Sequence, residues 1–180
     1  MSVDATRAAD HATVVGGSGM LAGLCHRLAA DGWQVTVVGR DRSKLARACA
    51  DARLHPLSVD YEDVGNFAAA LAKAAAARGP IVLAVCWIRS WAPLSLLATA
   101  DAVATDGRLV QVLGSQASGA TSTAIAALAA RRGLDYRQVQ LGAMGDGPSQ
   151  RWLTDSEISA GVDTAIGGDR PFHLVGRAPG

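Results

Sequence analysis

Apolar residues recur along the chain in two alternating rhythms. Short runs rich in β-branched and other apolar side chains occupy residues 12–15, 34–38, 55–59, 81–86, 108–113, 136–141 and 172–175, each short enough to be a strand. Between them lie longer, alanine-rich stretches with apolar positions at helical spacing. The first carries Leu21, Leu24 and Leu28 and stops at Gly32. Asp41 caps a second helix over 42–50, and an alanine tract, the best helix-forming composition, makes a third over 61–78. Pro93 opens a fourth over 93–105, Asp106-Gly107 turns the chain, and a fifth follows over 122–132. Thr154-Asp155-Ser156-Glu157 is a capping box ahead of a sixth, which carries Ile158, Val162 and Ile166 on one face. Strand and helix in strict succession predict an α/β fold of Rossmann type: a doubly wound, mainly parallel seven-stranded sheet with helices on both faces. Only 142–152 is long and irregular, and loops of that length tend to carry function or motion.

With 180 residues, 49% of them apolar and 18% charged, the chain suits one well-cored domain. We expect a flexible tail over 1–11 and a single domain over 12–180. Seventeen Lys and Arg stand against 16 Asp and Glu, a net charge of +1. No broad basic field is available for a polyanion, so nucleic acid is not the expected partner. The apolar run from Ile81 to Ile88 is far too short to span a bilayer, and the first residues lack the apolar core of a secretory signal. Cys25, Cys49 and Cys86 sit in apolar-periodic segments, as reduced thiols of a cytoplasmic protein would.

The turn Gly16-Gly17-Ser18-Gly19-Met20-Leu21-Ala22-Gly23 stands between the first strand and the first helix. There a dinucleotide's pyrophosphate meets backbone amides and the positive end of a helix dipole. A ligand-free tight turn would use the same residue types, and it is the strand-turn-helix context that favours a phosphate. Gly16, Gly17, Ser18, Gly19, Met20 and Leu21 are the candidate phosphate contacts. An NAD-specific protein places a carboxylate at the tip of the second strand; here the tip reads Gly39-Arg40-Asp41-Arg42. Arg40 and Arg42 suit a 2′-phosphate beside a small Gly39, which favours NADP(H) over NAD(H). Asp60 is placed either to accept from the adenine amino group or to cap the third helix.

Together the glycine turn, Gly39-Arg40, Val59-Asp60 and the strand from Gly107 to Ser115 resemble the short-chain dehydrogenase/reductase superfamily over most of the chain. The resemblance implies one dinucleotide-binding domain in which Cys86 and Trp87, after the fourth strand, border the cofactor. Ser115 takes the place of the family's catalytic serine. The resemblance also implies a homo-oligomer paired through the helices near 93–105 and 122–132. Three features depart from the family pattern. The third glycine falls at Gly23, with Ala22 at the usual position. The fourth strand leads into Cys86-Trp87-Ile88 rather than Asn-Ala-Gly, and the fifth helix begins around Ala120-Thr121-Ser122-Thr123-Ala124-Ile125, with no Tyr and Lys four apart. Tyr136 and Gln140 have that spacing on a strand, where four residues span about 13 Å.

Ligands of doubly wound folds bind beyond the carboxyl ends of the strands. Trp87, Arg89, Trp91, Ser115, Gln116, Met144 and Trp152 all follow strands there and are expected to share one pocket, with Arg89 gripping an anion and the indoles forming a wall. The same indoles would equally serve a core or a dimer face. His26, His55 and His173 show no metal-ligand spacing, so no metal is expected. The reading is an NADP(H)-dependent oxidoreductase acting on a small molecule, an imine, iminium or carbonyl, with a nonstandard proton source. The alternatives are a noncatalytic NADP(H)-binding sensor or scaffold, and a non-redox enzyme such as a cyclase or dehydratase.

Overall fold

A computed structural model describes residues 9–115 and 119–178. Its strands are β1 (His11–Val15), β2 (Gln34–Gly39), β3 (Leu54–Ser58), β4 (Ile81–Cys86), β5 (Val103–Leu113), β6 (Asp135–Leu141), β7 (Ala143–Met144), β8 (Arg151–Trp152) and β9 (Phe172–Val175). Its helices are α1 (Ala22–Ala30), α2 (Arg42–Ala48), α3 (Val64–Arg78), α4 (Pro93–Ala102), α5 (Gly119–Arg132) and α6 (Asp155–Gly167). Seven strands form one sheet in the order β3-β2-β1-β4-β5-β6-β9, with every neighbouring pair parallel.

Because side chains alternate across a strand, each central strand feeds two cores. Val14, Val37, Val85 and Val112 pack with Leu24 and Leu28 of α1 and Ile158 and Val162 of α6 on one face. Val15, Val38, Ala84 and Leu109 pack with Phe67 and Leu71 of α3, Leu96 of α4 and Ile125 of α5 on the other. This double burial is why the strands read as apolar runs.

The structure departs from the sequence expectation mainly at element ends. His11, expected in the tail, is the first residue of β1 and is fully buried. Helix α3 starts at Val64 because the Asp60 carboxylate accepts from the Glu62 amide at 3.0 Å, holding the segment before the helix in a turn, and Asp63 supplies the cap. Helix α4 ends at Ala102, since burial of Val103 against Ile81 starts β5 at once. The turn expected at Asp106-Gly107 is therefore a kink within β5, where Asp106 takes φ 63° and the register with β4 shifts. The 142–152 segment is not wholly irregular: β7 pairs antiparallel with β8.

One buried cation braces the far end of the molecule. Arg137 on β6, 5% exposed, donates to the Ala165 carbonyl at 2.8 Å and to the Gly168 carbonyl, satisfying the last turn of α6. Asp135 receives both Arg137 and Arg108, and the Arg137 bonds hold its carboxyl below the usual range. Among the described residues no helix is long and apolar enough to cross a membrane.

His11 makes folding pH-dependent. Its ring nitrogens lie 2.9 Å from the Gly79 carbonyl and 2.8 Å from the Thr36 hydroxyl, and burial lowers its pKa below 6.5. The folded chain thus binds fewer protons than the unfolded chain as the pH falls through 6.5, so stability drops with decreasing pH in that window. Melting temperatures between pH 5 and 7.5 should rise with pH, by about 2–4 °C per kcal/mol gained. The slope should flatten in His11→Gln; an unchanged slope would assign the effect elsewhere.

Candidate functional site

The site grows from the way β1 hands over to α1. Gly16 has φ 88°, a conformation that side chains rarely adopt, and its amide donates to the Val38 carbonyl at 3.1 Å. The Gly19 amide turns back on the Gly16 carbonyl at 3.2 Å, and the Ala22 amide on the Gly19 carbonyl at 2.9 Å. A Cβ at Gly17 would lie 2.7 Å from Cys25 Sγ, so this residue faces the core, whereas one at Gly19 would meet only the Gly16 oxygen at 3.9 Å. Helix α1 has no side-chain cap and no acidic residue in its first turn. Its positive end therefore opens onto the unobstructed Gly19 side of the turn.

Gly23 has a different task from the other glycines of the turn. A Cβ there would stand 3.1 Å from Ser159 Oγ, the hydroxyl that donates to the Met20 carbonyl at 2.9 Å. The third glycine thus admits α6 against α1, and an Arg27–Asp163 ion pair at 3.2 Å adds to that seam. Ser159 was not legible as a site residue, because its partner lies 139 positions away. The displaced glycine was the one available signal.

At the tip of β2, Ser18 Oγ occupies the space beside Gly39, 2.7 Å from where a Cβ would sit. The small residue thus accommodates the protein's own hydroxyl, a use the sequence did not suggest. Arg40, its side chain 64% exposed, lies 3.6 Å from the Asp60 carboxylate. Asp60 therefore neither caps α3 nor stands free of Arg40. Arg42 is exposed at the start of α2, where Asp41 accepts from the Ser43 and Lys44 amides at 2.9 and 3.0 Å. The Lys44 bond is the leading cause of the lowered Asp41 pKa.

At the end of β4, the Cys86 side chain is fully buried in the core against α3 and α4, and burial pushes its thiol up to about 12. The expectation that Cys86 borders a cofactor therefore does not extend to its thiol. Trp87 is half-buried on the opposite face, and its amide donates to the Val15 carbonyl at 3.1 Å. Its indole lies between Gly16, whose Cβ position is 3.2 Å from Trp87 Cβ, and Gly114, whose Cβ position is 3.4 Å from Cη2.

The described residues expected to share one substrate pocket make two sets of contacts. Arg89 sits 5.2 Å over the Trp91 ring, and the indole N–H of Trp91 donates to Glu62 at 3.4 Å, so this group leans toward the start of α3. Met144 and Trp152 belong to the β7–β8 pair, where Met144 packs on the core shared by α1 and α6. Among the described residues no hydrogen bond, ion pair or ring contact joins the two groups. Ser115 is half-buried in the turn after β5, and Gln116 lies outside the described residues. Tyr136 turns toward the α4–α5 face, donating to Gln111 and accepting from Gln138 at 3.0 Å, and burial raises its pKa. Among the described residues no group of three or more His, Cys, Asp or Glu gathers as a metal site.

Strand order, parallel pairing and the glycine turn beside the β1–β4 junction define a Rossmann-type doubly wound α/β domain. The fold is shared with solved short-chain dehydrogenases. One from Streptomyces avermitilis is 14% identical, matching 96% of this chain and 89% of that one at a TM-score of 0.69. Another, from Burkholderia cenocepacia J2315 in complex with NADP, is 16% identical over 94% of this chain and 89% of that one, TM-score 0.69. A blue fluorescent protein from a metagenomic library, in complex with NADPH, is 17% identical over 94% of this chain and 97% of that one, TM-score 0.70. No family model and no curated protein sequence matches the chain.

The α1–α6 seam makes a specific forecast. Gly23→Val should destabilise the protein by about 1–3 kcal/mol through overpacking, and Ser159→Ala should recover part of that loss. Urea denaturation of both single variants and the double variant measures the coupling; strictly additive effects would refute the contact.

Proposed function

We propose that the chain is an NADP(H)-dependent oxidoreductase of the short-chain dehydrogenase/reductase type. The observation that carries this reading is the uncapped N-terminus of α1 behind an open glycine turn, with Arg40 at the neighbouring strand tip. The residues present fit the phosphate end of the cofactor. Gly16 to Leu21 would hold the pyrophosphate, while Arg40 and Arg42 would hold the 2′-phosphate by charge-assisted bonds. Arg40 is only loosely engaged by Asp60, so exchanging that contact for a phosphate costs little. The NADP and NADPH bound to the Burkholderia and metagenomic proteins agree with the choice of cofactor.

When bound, NADPH supplies a hydride. The protein's part is to position the substrate and manage the proton. Helix α5, Gly119–Arg132, carries neither Tyr nor Lys, and Tyr136 is tied to Gln111 and Gln138 with a raised pKa. An already cationic carbon–nitrogen double bond suits such a site, because hydride addition to an iminium gives a neutral amine with no proton transfer at that step. Ser115, in the turn after β5, is the hydroxyl we assign to orient the substrate. A noncatalytic NADP(H)-binding protein is the second reading, favoured by the same composition of α5.

We also propose that α4 and α5 pair with a second copy of the chain. Leu94 on α4 is 61% exposed, and Ala124, Ala127 and Ala130 of α5 present a small apolar surface. Leu94→Glu should then convert a dimer to a monomer in sedimentation experiments; a wild-type monomer would remove the proposal.

Two measurements test the principal reading. Arg40→Ala should weaken NADPH roughly tenfold, the scale of a charge-assisted contact at a solvated site, and leave NADH nearly unchanged. Equal losses for both cofactors would refute the role of Arg40. Turnover of a cyclic iminium with NADPH, without turnover of ketones, is the result expected of the oxidoreductase; cofactor binding without turnover of either selects the noncatalytic reading.

A further inference from the structure

In doubly wound sheets the ligand crevice lies outside the carboxyl ends of the strands, where the winding reverses. That point is the junction of β1 and β4, and Trp87 follows β4 directly. Two features fix the indole there. The Trp87 amide is bonded to the Val15 carbonyl at 3.1 Å, and Gly16 and Gly114, beyond the ends of β1 and β5, leave no side chain at either end of the ring. A side chain at Gly16 would press on Trp87, and one at Gly114 would come into contact with the far end of the indole. Trp87 is half-buried rather than sealed in the core.

A dinucleotide held by its pyrophosphate at Gly16 to Leu21 carries its nicotinamide toward this junction. We propose that the indole of Trp87 is the surface against which the nicotinamide stacks, making Trp87 the residue that reads this half of the ligand and its redox state. The inference rests on the NADP(H) reading above. Oxidised nicotinamide is a cationic, electron-poor ring, and tryptophan is the aromatic side chain that best accepts a cation over its face. The reduced ring is neutral and gains less. Trp87 accordingly favours NADP⁺ over NADPH, whereas Trp91, committed to Arg89 and Glu62, has no such role.

The test uses the whole chain and reads absorption rather than turnover. Stacking of indole on oxidised nicotinamide produces a broad charge-transfer band, which adenosine 2′,5′-bisphosphate, lacking nicotinamide, cannot give. NADP⁺ should elicit the band in the wild type and in Trp91→Phe and Trp152→Phe. Trp87→Phe, which keeps a ring in the same place, should lose it. Trp87→Leu should weaken NADP⁺ by roughly tenfold without altering the affinity for adenosine 2′,5′-bisphosphate. NADP⁺ binding without a band, or a band that survives Trp87→Phe, overturns the role of Trp87 and leaves the cofactor assignment standing. Failure of NADP⁺ to bind at all overturns both.

Discussion

The structure turns on one tight passage. Strand β1 is buried on both faces, and the chain must leave it, reverse and start α1 without placing a side chain between strand and helix. Gly16 provides the backbone conformation, and Gly17 brings Cys25 of α1 close behind the turn. No side chain caps the start of α1, where the Ala22 amide turns back on the Gly19 carbonyl. The same geometry that lets helix and sheet pack leaves the start of α1 without a side-chain cap beyond the end of β1. Fold and candidate site are therefore set by one constraint.

Elements governed by local chemistry were legible in the sequence. The apolar runs, the Asp41 cap, the Thr154–Glu157 capping box and the Pro93 start all appear where residue spacing placed them. Features set by distant partners were not. His11 is polar and reads as tail until Thr36 and Gly79 are seen to enclose it. Arg137 would pass as the exposed residue of a strand, yet it is buried because the carbonyls at the end of α6 require a donor. Alternation alone cannot tell a strand turn from a kink, so the Asp106-Gly107 pair was misplaced.

The candidate site shows the same division. The glycine turn and the Arg40 strand tip follow from motif and position, and the structure sets them side by side, with Ser18 Oγ against Gly39. Of the residues after β4, β5 and β6, Trp87 and Gly114 come into contact, whereas a shared topological level alone does not make neighbours of the rest. Cys86 and Trp87 are adjacent in sequence, yet strand alternation sends one into the α3–α4 core and the other across the sheet end. Arg89 and Trp91 are engaged with each other and with Glu62, and Met144 and Trp152 belong to the β7–β8 pair.

Helix α6 is fastened at both ends, its Ser159 to the Met20 carbonyl and its final carbonyls to Arg137. The contact between Ser159 and Met20 closes a loop of 139 residues, and such closures come late because their entropy cost precedes their reward. During synthesis β1 and α1 are made before the elements that cover them, and their turn gains its last support only once α6 has followed. The glycine turn is thus made well before the contact that holds it in place.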